Sequence, residues 1–541
     1  MDLLDWTSGH WIELAMVACA FFIVFCVVMA LRQHEQEPAS SGTYGKADIA
    51  TPAVLAAEGL TAGKAPVRPK VRPPAPGEGY RLCEDGAGNI IRYTGRRPGK
   101  EKAHPNSISI CGPPRCGKQA TLLTALIAEH QGSMVILDPK GELTSTTLPA
   151  RKKLGPVKII CPIRDGVEPE VLKVIDDHFR SEGSELTTDS FNILDSLDPE
   201  SDGFETMCAN IAMMLIKADD NETKNSGYFT GTATMAVTGV IAHLLEYRPD
   251  TATLDEVADI ISTERLFLIA EAAMDADNKY VKRMLSRFAS HDGGYNPRSD
   301  KQVEEFQSTA RAQMKFMFSR AMEKALSRPA KPWNFMDLKN GEKPMTIFVV
   351  IPIAHIGVMA EFSRLLITAI TDTMLSGIPG RHHVTIVADE FARMGRIDKV
   401  LPIFEAGGGA GVSMIPVFQA VSQMTGIWGK DWETMKEGCD LRIYFPPKAD
   451  KETLEEIARF VGTKTIMDKS FSYDPNSGET KGINYNAKGQ PVLDPHEIPA
   501  MGGNCLITAP GIVKDVIIGT TKFYRTYPDI DALCNLNPWQ T

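Results

Sequence analysis

The sequence predicts an α/β nucleotide-binding fold that carries an inserted, mostly helical domain and is preceded by one N-terminal transmembrane helix. The order strand, Gly/Pro loop, helix, strand is readable in Ser107–Asp138. Far downstream, the apolar strand His383–Ala388 ends in the pair Asp389-Glu390. Between them, Asn192–Trp333 has helical periodicity and almost no strand signal. These three observations fix the predicted class and the place of its binding site.

Composition limits the possible functions. The chain has 541 residues, of which 43% are hydrophobic, so it can bury large cores and is not wholly disordered. Its net charge of −10 argues against a general basic coat for nucleic acid, and any such surface must be local or created by assembly. The ten cysteines are scattered without a C-x-x-C pair, which indicates a reducing, cytoplasmic main body.

The loop after the first strand of the core, GPPRCGK, fits the phosphate-loop pattern G-x-x-x-x-G-K. Backbone N–H groups of such a turn converge on phosphate, a helix N-terminus adds partial positive charge, and the lysine adds a full one. Gln119 stands where serine or threonine usually ligates Mg²⁺. The predicted nucleotide-binding residues are Gly112, Pro113, Pro114, Arg115, Cys116, Gly117, Lys118 and Gln119, together with Asp389.

Two further strand ends supply candidate catalytic groups. An ATPase needs carboxylates opposite its phosphate loop, so Asp389 is predicted to orient Mg²⁺ directly or through water, and Glu390 to polarise the attacking water. Gln419 follows the strand Ser413–Val417 and could reach the γ-phosphate or its water, or could be an ordinary polar strand-exit residue. The stretch Asp138–Glu142 (DPKGE) also follows a strand, but a plain turn would explain it equally well.

An apolar run of 18 residues, Leu14–Leu31, predicts the membrane helix, since at about 1.5 Å per residue it nearly crosses a core of roughly 30 Å. A cleaved signal peptide is disfavoured because Asp2, Asp5 and Glu13 precede the run without any Lys or Arg. We therefore expect a retained single-pass anchor with the main body in the cytoplasm.

The predicted domains are a membrane anchor (1–36), a juxtamembrane Pro/basic linker and N-terminal segment (37–104), the first part of the nucleotide-binding domain (105–195), the all-α insert (196–334) and the second part of the nucleotide-binding domain (335–541). Nine of the basic residues in this linker could face anionic lipid or DNA, or could simply be solvated. They are Lys64, Arg68, Lys70, Arg72, Arg92, Arg96, Arg97, Lys100 and Lys102. Gly407–Gly411 (GGGAG) lacks the G-x-G-x-x-G spacing and predicts a loop between helix and strand.

Several stretches in order resemble the type IV secretion coupling proteins, the TraG/TrwB-like conjugative DNA-transfer ATPases. The most specific are DPKGE, followed by Thr147 and Arg151, and ADEFARMGR at Ala388–Arg396. The other matching stretches are Gly42–Leu60, Gly112–Lys118, Phe191–Leu194, Gln419–Met424, Asp440–Phe445 and Ala458–Thr465.

The resemblance implies a RecA-like core with an all-α domain, forming a homo-hexamer on the cytoplasmic face of the bacterial inner membrane. It implies ATP-driven handover of relaxase-bound single-stranded DNA, or of effector proteins, to the channel of a type IV secretion system. By position, Lys118 would bind the β- and γ-phosphates and Gln419 would sense the γ-phosphate. Arg393, Arg396 and Arg442 are candidates for a finger that reaches a neighbour's site.

Two departures from the family pattern matter. One membrane helix is visible where the family commonly has two, and Gln119 replaces the hydroxyl of phosphate loops, so Mg²⁺ would rely more on Asp389 and water. Two other functions stay open. One is a nucleotide-regulated receptor that recruits secretion substrates without pumping. The other is an FtsK-like DNA translocase, for which a compact winged-helix reader is expected at the C-terminus in place of the loops and returning strand pattern of Gly462–Thr541.

Overall fold

The structure is a computed structural model with side chains. It describes residues 47–61, 79–95, 106–216, 224–290, 296–329, 331–355, 357, 359–376, 378–473 and 480–538. The chain divides into two compact units. The larger holds Ala50–Ile457 and Pro495–Thr541, and the smaller holds Ala458–Asp494 together with residues 47–49. The predicted anchor at Leu14–Leu31 lies outside the described residues.

The strands are named here in chain order. They are β1 Tyr80–Glu84, β2 Ile90–Tyr93, β3 Ser107–Cys111, β4 Ser133–Leu137, β5 Val157–Ile160, β6 Thr346–Val349, β7 Val384–Ala388, β8 Val412–Phe418, β9 Cys439–Tyr444, β10 Thr463–Tyr473, β11 Thr480–Pro491, β12 Asn504–Thr508 and β13 Ile517–Thr520.

The helices are named in the same way, and a π-helical turn at Gln119–Leu123 leads directly into the second of them. They are α1 Pro52–Ala57, α2 Thr124–Glu129, α3 Glu142–Leu154, α4 Pro169–Ser181, α5 Phe204–Leu215, α6 Lys224–Tyr247, α7 Leu254–Ser262, α8 Arg265–Met274, α9 Lys279–Leu285, α10 Lys301–Met314, α11 Arg320–Ala325, α12 Asp337–Asn340, α13 Ala360–Leu375, α14 Leu401–Ala410, α15 Val421–Trp428, α16 Asp431–Glu437, α17 Lys451–Val461 and α18 Pro528–Asp531.

One sheet organises the larger unit, in the order β2-β1-β13-β12-β9-β3-β8-β7-β4-β6-β5. From β9 to β5 every neighbouring pair is parallel, whereas β12, β13, β1 and β2 extend the sheet by antiparallel pairing. Strand β8 lies between β3 and β7, so the residues that follow these three strands meet at one edge. Strand ends beside such a crossover are where open α/β sheets bind ligands.

The central strands are buried along their whole length, which explains their nearly continuous apolar sequences. Strands β4 (SMVIL), β7 (VTIVA) and β8 (VSMIPVF) expose no residue to solvent. A parallel strand covered on both faces needs side chains that pack in both directions, and β-branched residues meet this demand. The apolar runs that the sequence predicts as strands are therefore the centre of the core.

All described elements between β5 and β6 are helices. Helix α6 packs against α5, α9 and α10. Its segment Gly227–Tyr247 is long and apolar enough to cross a membrane, but 72% of its most apolar window is buried inside the protein. It therefore has the character of a core helix within a helical bundle. The assignment of residues 196–334 to a separate inserted domain remains a prediction.

Residues 79–95 of the N-terminal segment differ from an extended linker, because β1 and β2 join the main sheet. Arg92, expected in a basic linker that faces lipid, DNA or solvent, is instead buried on β2, with its Nη2 2.8 Å from Glu129 Oε1. That expectation is wrong for Arg92. The other eight basic residues named for the predicted linker lie outside the described residues.

The glycine run is also different from its prediction, since Gly407–Ala410 forms the last turn of α14 and only Gly411 caps it in the left-handed region. A Cβ on Gly407 would lie 2.7 Å from Val412 O. The helix end thus approaches the start of β8 closely enough to require glycine. This packing outweighs the loss of about 1 kcal/mol that glycine brings to a helix interior.

In the smaller unit, β10 and β11 form a long antiparallel ribbon, in register from Thr463 opposite Pro491 to Ser472 opposite Gly482, and the register shifts before Tyr473 pairs with Thr480. Most of the predicted loop Tyr473–Lys481 lies outside the described residues.

Candidate nucleotide-binding site

The loop that follows β3 is closed tightly on itself. A Cβ on Gly112 would lie 2.8 Å from Cys116 Sγ and 3.0 Å from Phe445 Cβ, so only glycine fits there. Gly117 has φ +89°, and Arg115 adopts the left-handed region with φ 61°. Lys118 is buried and its Nζ donates to Gly112 O at 3.3 Å. The loop therefore encloses its own ammonium group, as a phosphate cradle requires.

The remaining loop residues differ in exposure. Pro114 and Arg115 are exposed, whereas Pro113 and Cys116 are half-buried. Burial raises the pKa of the Cys116 thiol, and the charge of Lys118 opposes that shift. A neutral thiol is a weak nucleophile, so Cys116 serves this loop by packing.

Asp389 follows β7 and is fully buried. Its Oδ2 accepts a hydrogen bond from Gln119 Nε2 at 2.5 Å, while its Oδ1 has no hydrogen-bond partner in the described structure. Burial, reinforced by the charge of Glu390, raises the pKa of Asp389 to about 6, against the opposing effects of Lys118, Gln119 and Lys140. Gln119 thus fixes the position of the Asp389 carboxylate, which is predicted to bind Mg²⁺.

Glu390 is buried beside Asp389 and has the left-handed backbone of φ 57°, which is unusual for a residue with a side chain. Its Oε2 accepts a hydrogen bond from Gln419 Nε2 at 2.8 Å. Gln419 is fixed in turn because its backbone N–H donates to Gln423 Oε1 at 3.1 Å. The structure therefore brings Glu390 and Gln419 together across β7 and β8, and stored backbone strain of this kind is common at functional sites.

The DPKGE stretch turns from β4 into α3 at the same edge of the sheet. Asp138 is fully buried, and its Oδ2 accepts from the backbone N–H of Thr144 at 2.7 Å and from its hydroxyl at 2.8 Å. Its Oδ1 has no hydrogen-bond partner in the part of the chain that the structure describes. Burial raises the pKa of Asp138 to about 7, with a further contribution from Asp389. Asp138 is a functional candidate without a predicted role, although its position at the end of a predicted strand, like that of Asp389, was a usable signal.

Gly141 shapes this turn, and replacing it tests the turn directly. With φ +70° and its missing Cβ 2.4 Å from Val171 Cγ1, Gly141→Ala adds backbone strain and a clash. We expect a loss of roughly 2–4 kcal/mol in the free energy of unfolding, measured by denaturant titration. The matched control is Gly88→Ala, with φ +81° and open space, which should lose only about 1–2 kcal/mol. Equal losses would contradict the close approach of Val171.

The three arginines proposed as fingers are in different environments. Arg393 is half-exposed, with its Nε 3.7 Å from Glu390 Oε2. Arg396 is held by Asp398 and Asp431 at 2.6 Å each and lies over the Trp428 ring. Arg442 is buried, 3% exposed, and its Nη2 donates to the backbone carbonyl of residue 436 at 2.9 Å. Arg393 and Arg396 thus reach solvent, and Arg442 faces inward.

Within the described chain, no group of three or more His, Cys, Asp or Glu side chains could hold a metal without other ligands. Mg²⁺ is commonly bound by one or two carboxylates together with phosphate oxygens and water. Asp389, with one oxygen anchored and the other unpaired, fits that kind of site.

The parallel order β9-β3-β8-β7-β4, with a phosphate loop after β3 and acidic residues after β7, defines a RecA-like P-loop nucleotide-binding fold. Residues 77–524 match the family model described as type IV secretory system conjugative DNA transfer. The match covers well over half of the chain. The chain belongs to this family.

Similar proteins support this membership. The chain is 24% identical over 411 residues to protein VirD4 of Agrobacterium fabrum, an alignment that covers 74% of this chain and 56% of the relative. It is 22% identical over 452 residues to the type IV secretion system-coupling protein VirD4 of Bartonella henselae, covering 78% and 65%. The chain thus spans about half the length of the Agrobacterium relative.

Two solved structures have a similar fold. The bacterial conjugative coupling protein TrwBdeltaN70 matches with a TM-score of 0.57 and 14% identity, covering 89% of this chain and 94% of that one. The plasmid coupling protein TrwB in complex with ADP and Mg²⁺ matches with a TM-score of 0.58 and 13% identity, covering 89% and 94%.

Proposed function

We propose that this protein is an ATPase that couples relaxase-bound single-stranded DNA, or effector proteins, to a type IV secretion channel. The observation that carries the enzymatic part is the meeting of Lys118, Asp389, Glu390 and Gln419 at one edge of the sheet. The coupling part is supported by the family match and by relatives named as coupling proteins.

Each residue takes a separate role in the proposed reaction. Lys118 binds the β- and γ-phosphates, and Asp389 holds Mg²⁺ directly or through water. Glu390 polarises the attacking water, while Gln419 orients Glu390 and senses the γ-phosphate. When bound, Mg²⁺ neutralises the charge that develops on the phosphate oxygens. Closing the loop and the buried acids around phosphate would exclude bulk water, which strengthens these electrostatic interactions.

The assembly is proposed from the family. A homo-hexamer on the inner membrane would place Arg393 or Arg396 of one subunit near a neighbour's site, since both side chains reach solvent. Arg442 could act in this way only after leaving the carbonyl that it now binds. We propose an all-α insert at residues 196–334 within a nucleotide-binding domain of residues 105–195 and 335–541. The proposed anchor is residues 1–36, followed by the segment 37–104.

The FtsK-like alternative is not favoured by any observation in the structure. The described part of residues 462–541 contains β10 to β13 and, as its α-helix, the four-residue α18. A winged-helix reader needs longer helices to enter a DNA groove.

The function is tested by ATP hydrolysis of the full-length protein in lipid nanodiscs, with and without single-stranded DNA, and by substrate transfer in cells. We expect DNA to stimulate hydrolysis. Lys118→Ala should abolish both hydrolysis and transfer, because the phosphates lose the one buried side chain of the loop that carries a full positive charge. The control is Lys451→Ala, whose side chain is 85% exposed on α17. If Lys118→Ala, and separately Glu390→Gln, transfer substrate normally, the protein is a receptor and not a pump.

A further inference from the structure

Two fully buried carboxylates at the ligand edge of the sheet each have one oxygen without a hydrogen-bond partner among the described residues. These oxygens are Asp138 Oδ1 and Asp389 Oδ1. Strands β4 and β7 are parallel, with Leu137 opposite Ala388. The next pair in this register is Asp138 and Asp389, so both side chains leave the sheet on the same side, with backbones about 4.8 Å apart.

The other oxygen of each carboxylate is already anchored. Asp138 Oδ2 accepts two hydrogen bonds from Thr144, and Asp389 Oδ2 accepts one from Gln119. Each acid is thus held by one oxygen and offers the other. Both side chains are fully buried. A cation between two neighbouring buried carboxylates offsets the cost of their desolvation and their mutual repulsion.

We propose that Asp138 is a second carboxylate of the Mg²⁺ site, which it completes together with Asp389. The inference rests on the proposed nucleotide hydrolysis. It concerns how this chain compensates for having Gln119 where a phosphate loop has a hydroxyl that binds Mg²⁺. A phosphate loop normally supplies a hydroxyl to Mg²⁺ at that position. Here the side chain donates to Asp389 instead, which leaves the metal one protein ligand short. Asp138 restores an oxygen ligand, directly or through a water, from the neighbouring strand.

The competing role for Asp138 is purely structural, as the acceptor that fixes Thr144 at the start of α3. That role uses Oδ2 alone and leaves Oδ1 buried without a partner. Buried polar atoms are almost always paired, so the unpaired Oδ1 points to a missing ligand. The two roles differ in what they predict for metal binding.

The test measures the affinity of the full-length protein for Mn²⁺ in the presence of saturating ADP, with free Mn²⁺ followed by electron paramagnetic resonance. ADP affinity is first measured in EDTA for each variant. We expect Asp138→Asn to weaken Mn²⁺ binding by about tenfold or more and to leave ADP affinity in EDTA unchanged. The matched control is Asp440→Asn, a buried carboxylate near the opposite end of a strand, and Mn²⁺ affinity should stay within about twofold of wild type.

A folded Asp138→Asn variant with unchanged Mn²⁺ affinity would overturn the inference. If that variant does not fold, Asp389→Asn decides. If Asp138 is a metal ligand, the ADP complex of the Asp389→Asn variant binds Mn²⁺ more tightly than ADP does in free solution. Equal affinities would overturn the inference. Failure of the wild-type protein to bind ADP at all would instead overturn the proposed function, so the two failures are distinguishable.

Discussion

Glu390→Gln should reduce the rate of ATP hydrolysis by roughly 10²–10⁴-fold, because general-base assistance to an attacking water contributes about that much. Glutamine keeps the size of the side chain and can still meet Gln419, but it cannot take up a proton. The Oε2 atom that would polarise water is fixed at 2.8 Å from Gln419 Nε2. The left-handed backbone of Glu390, with φ 57°, aims the side chain and is unaffected by this change.

The measurement is single-turnover hydrolysis together with equilibrium nucleotide binding by the full-length protein. Binding should stay within a few-fold of wild type, because Lys118 and Asp389 remain in place and only transition-state stabilisation is removed. The control is Glu405→Gln, an exposed residue on α14 that should leave both quantities unchanged. A Glu390→Gln variant that hydrolyses ATP at more than about a tenth of the wild-type rate would show that another group activates the water.

The parts of the fold that could be predicted from sequence are those in which a local signal and a tertiary demand agree. The apolar runs of β3, β4, β7 and β8 are buried strands, and the glycines at positions 112 and 117 are required by close packing and positive φ. The type IV coupling family followed from the same motifs and is confirmed by the family model over residues 77–524. Motif residues at strand ends report on the site because parallel strands deliver them to one edge.

The rest of the fold depends on contacts between segments that are far apart in the sequence. Local sequence patterns carry no information about such contacts. Strand β1 pairs with β13 more than four hundred residues away, so nothing near Tyr80 reveals that the predicted linker joins the sheet. Position 407 needs glycine, although it lies in a helix, because the start of β8 approaches it closely. Arg442 faces inward because the backbone carbonyl of residue 436 accepts a hydrogen bond from its guanidinium. The partnership of Gln119 with Asp389 spans the sheet in the same way.

Arg151→Met should lower the free energy of unfolding by roughly 2–4 kcal/mol, although Arg151 is far from the proposed chemistry. The guanidinium is 1% exposed. It donates to Thr346 Oγ1 at 2.8 Å, to Gly132 O at 2.6 Å, and to the carbonyls of Ile127 and His130. One side chain thus joins the end of α2, the entry to β4 and the start of β6.

Two opposing effects set the size of this loss. Burial lowers the pKa of Arg151 to about 10, so removing the charge recovers about 3 kcal/mol. Against this, four oxygens lose their donor, each at the low end of roughly 1–3 kcal/mol, which is about 5–7 kcal/mol together. The second effect is larger, so the variant is destabilised. Arg151→Lys should lose less, because an ammonium still donates to up to three of the oxygens.

Chemical denaturation of the full-length protein measures both variants, with Arg180→Met on α4 as the control. The Arg180 side chain is 68% exposed and, among the described residues, pairs with its helix neighbour Asp177, so its replacement should change stability by less than about 0.5 kcal/mol. A loss for Arg151→Met no greater than that of the control would mean that water replaces the guanidinium at all four oxygens. In that case the junction between α2, β4 and β6 would be held by the sheet alone, and Arg151 would owe its place in the family pattern to something other than stability.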